Sequence, residues 1–326
     1  MHKQTKILII IIILIIISPL KGYSWGFWGH KKINRQAVFS LPPEMIGFYK
    51  TNIEFITEHA VDPDKRRYAI EGEAEKHFID LDHFCTFPCD DFPRQWDDAV
   101  ETYSEDTLHA YGIVPWHIQV MMKRLTKAFK EKDLQMILKN SSELAHYISD
   151  SHVPLHTTEN YNGQMTNQKG IHGFWESRLP ELFNEDYDFF VGIAEYIEKP
   201  LEFAWTNILN AHKQMPDVLS VEKELDETFP ADQKYSYETR NQLNIRTYSE
   251  EYSRTYSQKL KGMVEEQMRL SIKHSADTWY TCWVNAGKPD LSDVKFKKID
   301  ITIEPVKEGK KIKSREHSNT GFDIFK

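Results

Sequence analysis

The sequence predicts an all-α fold, and two observations favour it. Apolar residues recur at three- and four-residue intervals in several long segments, which is the period of an amphipathic helix. Alternation of apolar and polar residues, which marks a half-buried strand, is almost absent before residue 289. With 326 residues and 40% hydrophobic content, the chain can bury a substantial core, and its length fits one large domain or two small ones.

The first half of the chain contains three well-marked helical patterns. One begins at the double proline Pro42–Pro43 and carries apolar residues to Ile56, with proline in the first turn where its missing N–H costs nothing. Two more patterns follow over 115–130 and 133–151. Because only a short charged turn separates this pair, we expect two antiparallel neighbouring helices.

The second half shows further helical patterns and two segments without one. Residues 226–242 are polar and rich in turn formers, so we expect a surface loop. The tail from Pro289 is Lys-rich and contains one β-like alternation, VKFKKIDITI. Gly287 and Pro289 supply a stop for the last helix. The expected helices lie around 174–183, around 191–212 and over 250–286.

Residues 1–24 are expected to form a secretory signal peptide. Two lysines precede an unbroken apolar run, and small residues stand at the spacing that signal peptidases accept, so we expect cleavage after Ser24. An uncleaved anchor is the alternative, although the run is short for a bilayer span. The mature protein would be secreted or periplasmic, with a helical part over 25–288 and a tail over 289–326.

The charge of the mature chain restricts its partners. Loss of the signal peptide removes three lysines and no acid, which leaves 38 basic against 49 acidic groups and a net charge of −11. Such a protein does not attract polyanions through its overall field. A phosphate-bearing substrate would therefore need a local positive centre such as bound metal, and no organic cofactor is expected.

Three cysteines are present, which is an odd number for a protein outside the cytoplasm. We expect one disulfide and one leftover thiol. Cys85 and Cys89 could close a small loop, or one of them could bond to Cys282. A lone C-x3-C pair is weak support for a metal site, because zinc modules usually bring two such pairs.

The stretch HYISDSHVPLH carries the main chemical signal. His146 and Asp150 are four residues apart, which places both side chains on one helical face, and His156 follows a helix-ending proline. His172 and Glu176 repeat the four-residue spacing in IHGFWES. One such pair is often only a solvated contact or a core histidine. Three separate turns of chain that all offer nitrogen and oxygen ligands instead predict a zinc site.

These motifs resemble those of the zinc-dependent phospholipases C and the single-strand-specific zinc nucleases, which share one helical fold and a trinuclear zinc site. That family carries H-x3-D-x5-H, followed by H-x3-E in the phospholipases or H-x2-W-D in the nucleases. Here HYISDSHVPLH is complete, and HGFWE combines the nuclease tryptophan, Trp175, with the phospholipase glutamate, Glu176. The resemblance runs from residue 25 to about residue 286, and it implies a single-domain multi-helix bundle.

Three further motifs extend the resemblance. WGFWGH matches the W-G-x-x-G-H motif at the mature amino terminus of the nucleases, where the α-amine and carbonyl of the tryptophan bind zinc. Signal cleavage would thus create a ligand at Trp25, beside His30. AVDPDKRR matches the A-D motif of the family and gives Asp62, with Asp64 as the alternative register, and HFIDLD gives His77.

The resemblance implies three zinc ions, with Asp150 bridging the first two and a water between them as the nucleophile. The counterpart of Asp62 has also been considered as a general base. The implied ligands are Asp62, His77, His146 and Asp150 for the first ion, the Trp25 amine and carbonyl, His30 and Asp150 for the second, and His156, His172 and Glu176 for the third.

The expected activity is hydrolysis of phosphodiester bonds. W-G-x-x-G-H, HFID and Trp175 favour a nuclease acting on single-stranded RNA or DNA, with nucleotidase activity in addition. Glu176 favours the alternative, a phospholipase C, and the Gly-Gly-Asn segment of the nucleases is replaced by TTENYNGQMTNQKG. A non-catalytic binding protein stapled by zinc is a further alternative. A zinc peptidase is not expected, because no H-E-x-x-H is present.

Several other residues are not expected to act at the site. His152 would point away from the His146 and Asp150 face if the helix continues. The remaining histidines that match no family ligand are His59, His83, His109 and His117. Four aromatic residues near the disulfide candidates are expected to pack in the core rather than to line a substrate cleft, namely Phe84, Phe87, Phe92 and Trp96.

Overall fold

The computed structural model describes residues 26–240 and 243–293, and most of them lie in helices, so the all-α prediction is confirmed. The helices are α1 (Gly26–Ala37), α2 (Pro43–Thr51), α3 (Ile53–Glu58), α4 (Asp62–Arg66), α5 (Leu81–Phe84), α6 (Trp96–Tyr103), α7 (Glu105–Tyr111), α8 (Val114–Lys130), α9 (Leu134–Asp150), α10 (Ile171–Gly173), α11 (Leu179–Phe183), α12 (Pro200–Thr228), α13 (Glu250–Lys259) and α14 (Met263–Asn285). Short 3-10 turns occupy Val38–Ser40, His59–Val61, Ala74–His77, Pro154–Thr157, Asn184–Asp186 and Leu291–Asp293, and a π-helical turn occupies Phe174–Arg178.

The predicted helix pair over 115–130 and 133–151 is present as α8 and α9, which pack against each other. Pro115 lies in the first turn of α8. Asp133 caps α9, because its carboxylate accepts a hydrogen bond from the Met136 amide at 3.1 Å. The long apolar pattern and the cap explain why the sequence located these two helices to within one residue.

Helix α9 lies at the centre of the fold, where it also packs against α1, α3 and α14. Trp279 of α14 is fully buried and stacks on Tyr49 of α2 with ring centroids 5.0 Å apart. Its indole N–H donates to the carbonyl of Ser141 in α9 at 3.0 Å. The Tyr49 hydroxyl lies 2.8 Å from the Ser141 hydroxyl. One aromatic pair therefore joins three helices and satisfies its own polar atoms.

The helix predicted around 191–212 begins later and ends later than expected. Residues 187–199 have no regular structure, and α12 starts at Pro200 and runs to Thr228. Lys199 is extended (φ −125°, ψ 82°), because the residue before a proline is disfavoured in the helical region. The helix then continues through Pro216 into the segment that was expected to be a loop.

The prediction of a loop over residues 226–242 is also wrong for the second part of that range, which belongs to a β-hairpin. Tyr235–Arg240 and Leu243–Tyr248 form an antiparallel hairpin in which Tyr235 pairs with Tyr248. The alternation of Leu243, Ile245 and Thr247 with polar neighbours was the available signal, but it is too short to stand out beside the polar residues around it.

Two predicted helices are interrupted. The pattern from Pro42 to Ile56 is divided at Asn52 into α2 and α3. The pattern over 250–286 is divided into α13 and α14, because Lys261 and Gly262 adopt left-handed backbone angles (φ 53° and 84°).

Cys85 and Cys89 form a disulfide, which decides between the two pairings that the sequence left open. Cys282 is the remaining thiol and is buried, and burial raises its pKa to about 12, so it is protonated at neutral pH. No helix among residues 26–240 and 243–293 is both long enough and apolar enough to cross a membrane. The predicted signal peptide and all but the first residues of the predicted tail lie outside the described residues.

Candidate metal centre

The inner face of α9 supplies the central side chains of the site. His146 and Asp150 lie one helical turn apart, and the histidine Nε2 is 3.2 Å from the carboxylate Oδ2. His77, at the end of a 3-10 turn, places its Nδ1 at 2.8 Å from the same Oδ2 and at 3.0 Å from His146 Nε2. Asp64 of α4 places its Oδ1 3.7 Å from His77 Nδ1 and 3.6 Å from His146 Nε2. Two separate segments thus supply four converging donor atoms.

A second set of donors comes from the chain that follows α9. The 3-10 turn Pro154–Thr157 places His156, and the π-helical turn places Glu176 one turn after His172. The Nε2 atoms of the two histidines are 3.2 Å apart, and Glu176 Oε2 lies 3.0 Å from His172 Nε2 and 3.6 Å from His156 Nε2. The wider π-helical turn belongs to a class often found at functional sites.

These separations fit a shared cation. Zinc binds nitrogen at about 2.0–2.1 Å in tetrahedral geometry, so two of its donors lie about 3.3 Å apart. The distances in both sets, from 2.8 to 3.7 Å, surround that value. Three groups in the described chain can each hold a metal ion, namely His77 with His146 and Asp150, His30 with Asp64 and His146, and His156 with His172 and Glu176.

The Asp150 carboxylate faces two of these groups at once. Its Oδ2 contacts His77 and His146, whereas its Oδ1 points towards His30 Nε2 at 3.5 Å. Both Oδ1 of Asp150 and Nε2 of His30 are buried and have no hydrogen-bond partner among the described residues. Because buried polar atoms are nearly always satisfied, this orphaned pair fits a bound cation.

Three of the five histidines of the centre are oriented by a backbone carbonyl that contacts the ring nitrogen facing away from the donors. His146 Nδ1 lies 2.9 Å from the carbonyl of Ala60, and His156 Nδ1 lies 2.7 Å from the carbonyl of His77. Since a carbonyl only accepts, these contacts place the proton on Nδ1 and leave Nε2 for a ligand. His172 Nδ1 meets the carbonyl of Tyr161 at 3.0 Å in the same way.

Burial and charge make the centre ready for a cation. Burial, together with repulsion from His146, holds the pKa of His30 well below its usual range, and burial lowers the pKa of His77 to about 3. Burial acts to raise the pKa of Asp150, yet His146 and His156 hold it well below its usual range. Burial acts to lower the pKa of His146, but Asp150 and Asp64 raise it to about 9. A metal ion would replace that proton as the positive charge of the group.

The structure does not bring Asp62 into the centre, although the resemblance implied it as a ligand there. Its carboxylate lies 2.5 Å from His59 Nδ1 and 2.8 Å from the Lys65 ammonium group. Burial acts to raise the pKa of Asp62, and the hydrogen bonds from Lys65 and His59 lower it. Asp64, the alternative register, is the residue that faces the donors, because α4 turns Pro63 and Asp64 to the inside. Asp62 is therefore poorly placed as a ligand or as a general base at this centre.

The remaining predicted ligands meet in the structure, with one outside its range. Trp25 lies outside the described residues, so its role stays a prediction, and Gly26 donates its amide to the Ser177 hydroxyl at 3.0 Å. The predicted ligands that lie together are His30, His77, His146, Asp150, His156, His172 and Glu176.

The histidines that were not expected to bind metal lie outside the metal centre. His152 is buried, and its Nε2 is 2.9 Å from His274 Nδ1 rather than in the metal centre. His83 stacks on Tyr111, and the other unassigned histidines pair with acids or pack on Tyr147. Three of the four aromatic residues pack in the core as expected, but Phe87 is 43% exposed. The core prediction therefore fails for Phe87 alone among these four.

Two histidines outside the centre give an expected pH dependence. Burial, with Lys76 nearby, lowers the pKa of His117 to about 3, and burial, with Lys273 nearby, lowers that of His274 to about 4. Such a group contributes stability that is present above its unfolded pKa of about 6.5 and lost as the pH falls through its folded pKa. We expect the free energy of unfolding to fall between pH 6.5 and pH 4, by up to about 1.4 kcal/mol per pH unit for each histidine.

Urea unfolding at several pH values, with wild type and His274→Gln side by side, measures this slope. The variant lacks one of the two groups, so its slope should be shallower. Because both proteins share the metal ligands, the difference reports on His274 and its contact with His152. Equal slopes would contradict the assignment.

The fold and the site define a class: an all-α protein whose buried cluster of histidines and carboxylates can hold metal ions. No protein-family model matches the chain, and no curated protein matches it. Among solved structures, a similar chain is the alpha-toxin of Clostridium perfringens from an avian strain, with 12% sequence identity and a TM-score of 0.48. The match covers 80% of this chain and 65% of the toxin chain.

Proposed function

We propose that this protein is a zinc-dependent phosphoesterase that hydrolyses phosphodiester bonds. The observation that carries the proposal is the Asp150 carboxylate, whose two oxygens face different donor groups in a fully buried position. One carboxylate shared between two cation sites is a feature of two-metal catalysis of phosphoryl transfer. The motif resemblance of the sequence supports the same reaction.

The donor set supports zinc in particular. Imidazole nitrogens and carboxylate oxygens are ligands that zinc accepts, and no cysteine takes part. Zinc would supply two things to the reaction, a lowered pKa for water and neutralisation of charge on phosphoryl oxygens. The protein has the task of holding the donors in place and keeping bulk water out, and the near-complete burial of the donors serves that task.

The exposure of the donors supports one direction of substrate approach. His172 is 8% exposed, whereas the other donors are at most 2% exposed. A phosphate group would thus reach the centre from the side of His172, where Tyr161 supplies the carbonyl that orients the ring. The net negative charge of the chain makes the local cations necessary for holding an anionic substrate.

Single-stranded nucleic acid is the substrate that we favour, on W-G-x-x-G-H, HFID and Trp175. Phospholipid is the second candidate, because the third donor group ends in Glu176 rather than aspartate, and its carboxylate is the one that contacts both histidines. A non-catalytic binding protein with a zinc staple is the third. Secretion after cleavage at Ser24 and zinc binding by the Trp25 amine belong to the same proposal.

A paired assay tests both the reaction and the substrate. The processed, zinc-loaded protein is incubated with single-stranded RNA and, separately, with dispersed phosphatidylcholine, each with and without chelator. We expect nucleotide release that chelator abolishes and added zinc restores, because the cations hold the phosphate. Diacylglycerol release would instead select the phospholipase. A protein that binds zinc but hydrolyses neither substrate would contradict the phosphoesterase and favour the binding protein.

A further inference from the structure

A second group of polar and charged side chains lies beside the metal centre and supplies none of its donor atoms. This network consists of Arg66, Glu73, Lys76, Glu143 and Tyr147. Glu73 is 2% exposed and Glu143 is 5% exposed, and the Tyr147 ring between them is fully buried. Glu143 lies three residues before His146 on helix α9, and Tyr147 lies one residue after it. Buried acids of this kind need partners, because an unpaired buried charge is costly.

Arg66 supplies most of the pairing. Its Nη1 and Nη2 donate to the two carboxylate oxygens of Glu143 at 2.7 and 2.9 Å, which is a two-pronged contact. Nη2 also donates to the Tyr147 hydroxyl at 3.2 Å and lies 3.1 Å from Glu73 Oε1. The Tyr147 hydroxyl donates to Glu73, and the Lys76 ammonium group donates to Glu73 at 2.9 Å.

The position of these residues in the chain gives the network its importance. Arg66 comes two residues after Asp64, and Glu73 comes four residues before His77. The segment that supplies Asp64 and His77 is therefore fastened at both ends to α9, the helix that supplies His146 and Asp150. Glu73 Oε1 also faces the outer nitrogen of the His77 ring, Nε2, at 4.0 Å, while Nδ1 faces the donors.

We propose that Arg66, Glu73 and Tyr147 are positioning residues that set the metal affinity of the first donor group, Asp64, His77, His146 and Asp150. This inference rests on the proposed function only in taking that group to bind zinc. Four donors from two segments bind tightly only if the segments keep their spacing, and outer-shell partners of metal ligands typically account for about 10–100-fold in affinity. The network contributes to this spacing together with the contact between His146 and the Ala60 carbonyl, since it joins the same two segments a few residues from the donors.

The test measures zinc affinity by competition with a chromophoric chelator, so it does not depend on turnover. In Arg66→Met, which removes the fork but keeps a long side chain, we expect one of the bound zinc ions to be held about 10–100-fold more weakly. Arg66→Lys keeps the charge but cannot form the two-pronged contact, so it should rescue only part of the loss. The control is Arg35→Met, because Arg35 forms a single ion pair with Glu54 at 2.8 Å on the exposed surface, away from the donors.

Two milder variants decide the question if Arg66→Met does not fold. Tyr147→Phe removes only the hydroxyl, and Glu73→Gln removes the charge but keeps the size. Each should weaken the same zinc ion and leave the ion held by His156, His172 and Glu176 unchanged, because that group shares no donor with the first. With substrate, kcat at limiting zinc should fall and recover at excess zinc, whereas KM should stay constant. The far-UV circular dichroism at the assay temperature should equal that of the wild type at both zinc concentrations, which simple loss of stability would not give.

Two results would overturn the inference. One is unchanged zinc competition in Tyr147→Phe and Glu73→Gln. The other is an equal loss of affinity in the Arg35→Met control. A wild-type protein that binds zinc without hydrolysing any phosphodiester would defeat the proposed function, yet the affinity differences among these variants would still be measured.

Discussion

Replacing Asp64 by asparagine is expected to remove one zinc ion and to lower phosphodiester turnover by at least about 100-fold. Loss of an outer-shell partner of a metal ligand already costs about 10–100-fold, and loss of a ligand itself should cost at least as much. Asp64 is 2% exposed and its carboxylate lies between His77, His146 and His30. An amide oxygen keeps the size of the group but loses the negative charge that balances a cation. The loss should appear in kcat and also as a higher KM, because the substrate is held by the same ions that the reaction uses.

The matched control is Asp62→Asn, two residues earlier in the chain. Asp62 pairs with His59 and Lys65 at the surface, so its replacement should change zinc content and turnover by less than about twofold, as surface changes usually do. Zinc content is measured by elemental analysis of the purified variants, and turnover with the better substrate of the paired assay. Loss of zinc in Asp62→Asn with retention in Asp64→Asn would reverse the register that the structure gives.

Removal of zinc is expected to lower the melting temperature by about 8–16 °C for each tightly bound ion. An ion present at about 1,000 times its dissociation constant contributes about 4 kcal/mol to folding. In a protein near this size, about 1 kcal/mol changes the melting temperature by about 2–4 °C. The physical source is the set of buried carboxylates at the centre, which would lose their nearest positive charges along with the metal.

Thermal unfolding of zinc-loaded and chelated protein at pH 7 measures this effect, and added zinc should reverse it. Asp64→Asn serves as the matched variant, because it should show a smaller difference between its loaded and chelated forms. Far-UV circular dichroism of the chelated protein at 25 °C adds a second reading. A folded but inactive apoprotein fits a catalytic centre, whereas an unfolded one fits a structural zinc staple. Identical melting temperatures with and without chelator would contradict metal binding at the centre.

The local spacing of the site could be predicted from the sequence. The four-residue intervals between His146 and Asp150 and between His172 and Glu176 place each pair on one helical face, whatever the rest of the chain does. The apolar periods of α8 and α9 are long enough to locate both helices nearly to the residue. Helical geometry repeats from turn to turn, so the spacing of residues along a helix is enough to predict which side chains share a face.

Short or interrupted elements could not be predicted in the same way. Helix α4 has five residues, too few for an apolar period to show which of Asp62 and Asp64 faces inwards. The start of α12 at Pro200 and the hairpin over Tyr235–Tyr248 were missed for a related reason. Their local sequence patterns are weak, so contacts with the rest of the fold determine their structure.

By itself, the sequence determined which residues can serve as donors and which of them share a helical face, because both follow from residue type and helical repeat. The tertiary structure decided that Asp64 rather than Asp62 lies near His77 and His146. It also decided that Arg66 reaches Glu143, a residue 77 positions away in the chain. Such contacts depend on how separate helices pack, and packing is set by the whole core rather than by any one segment.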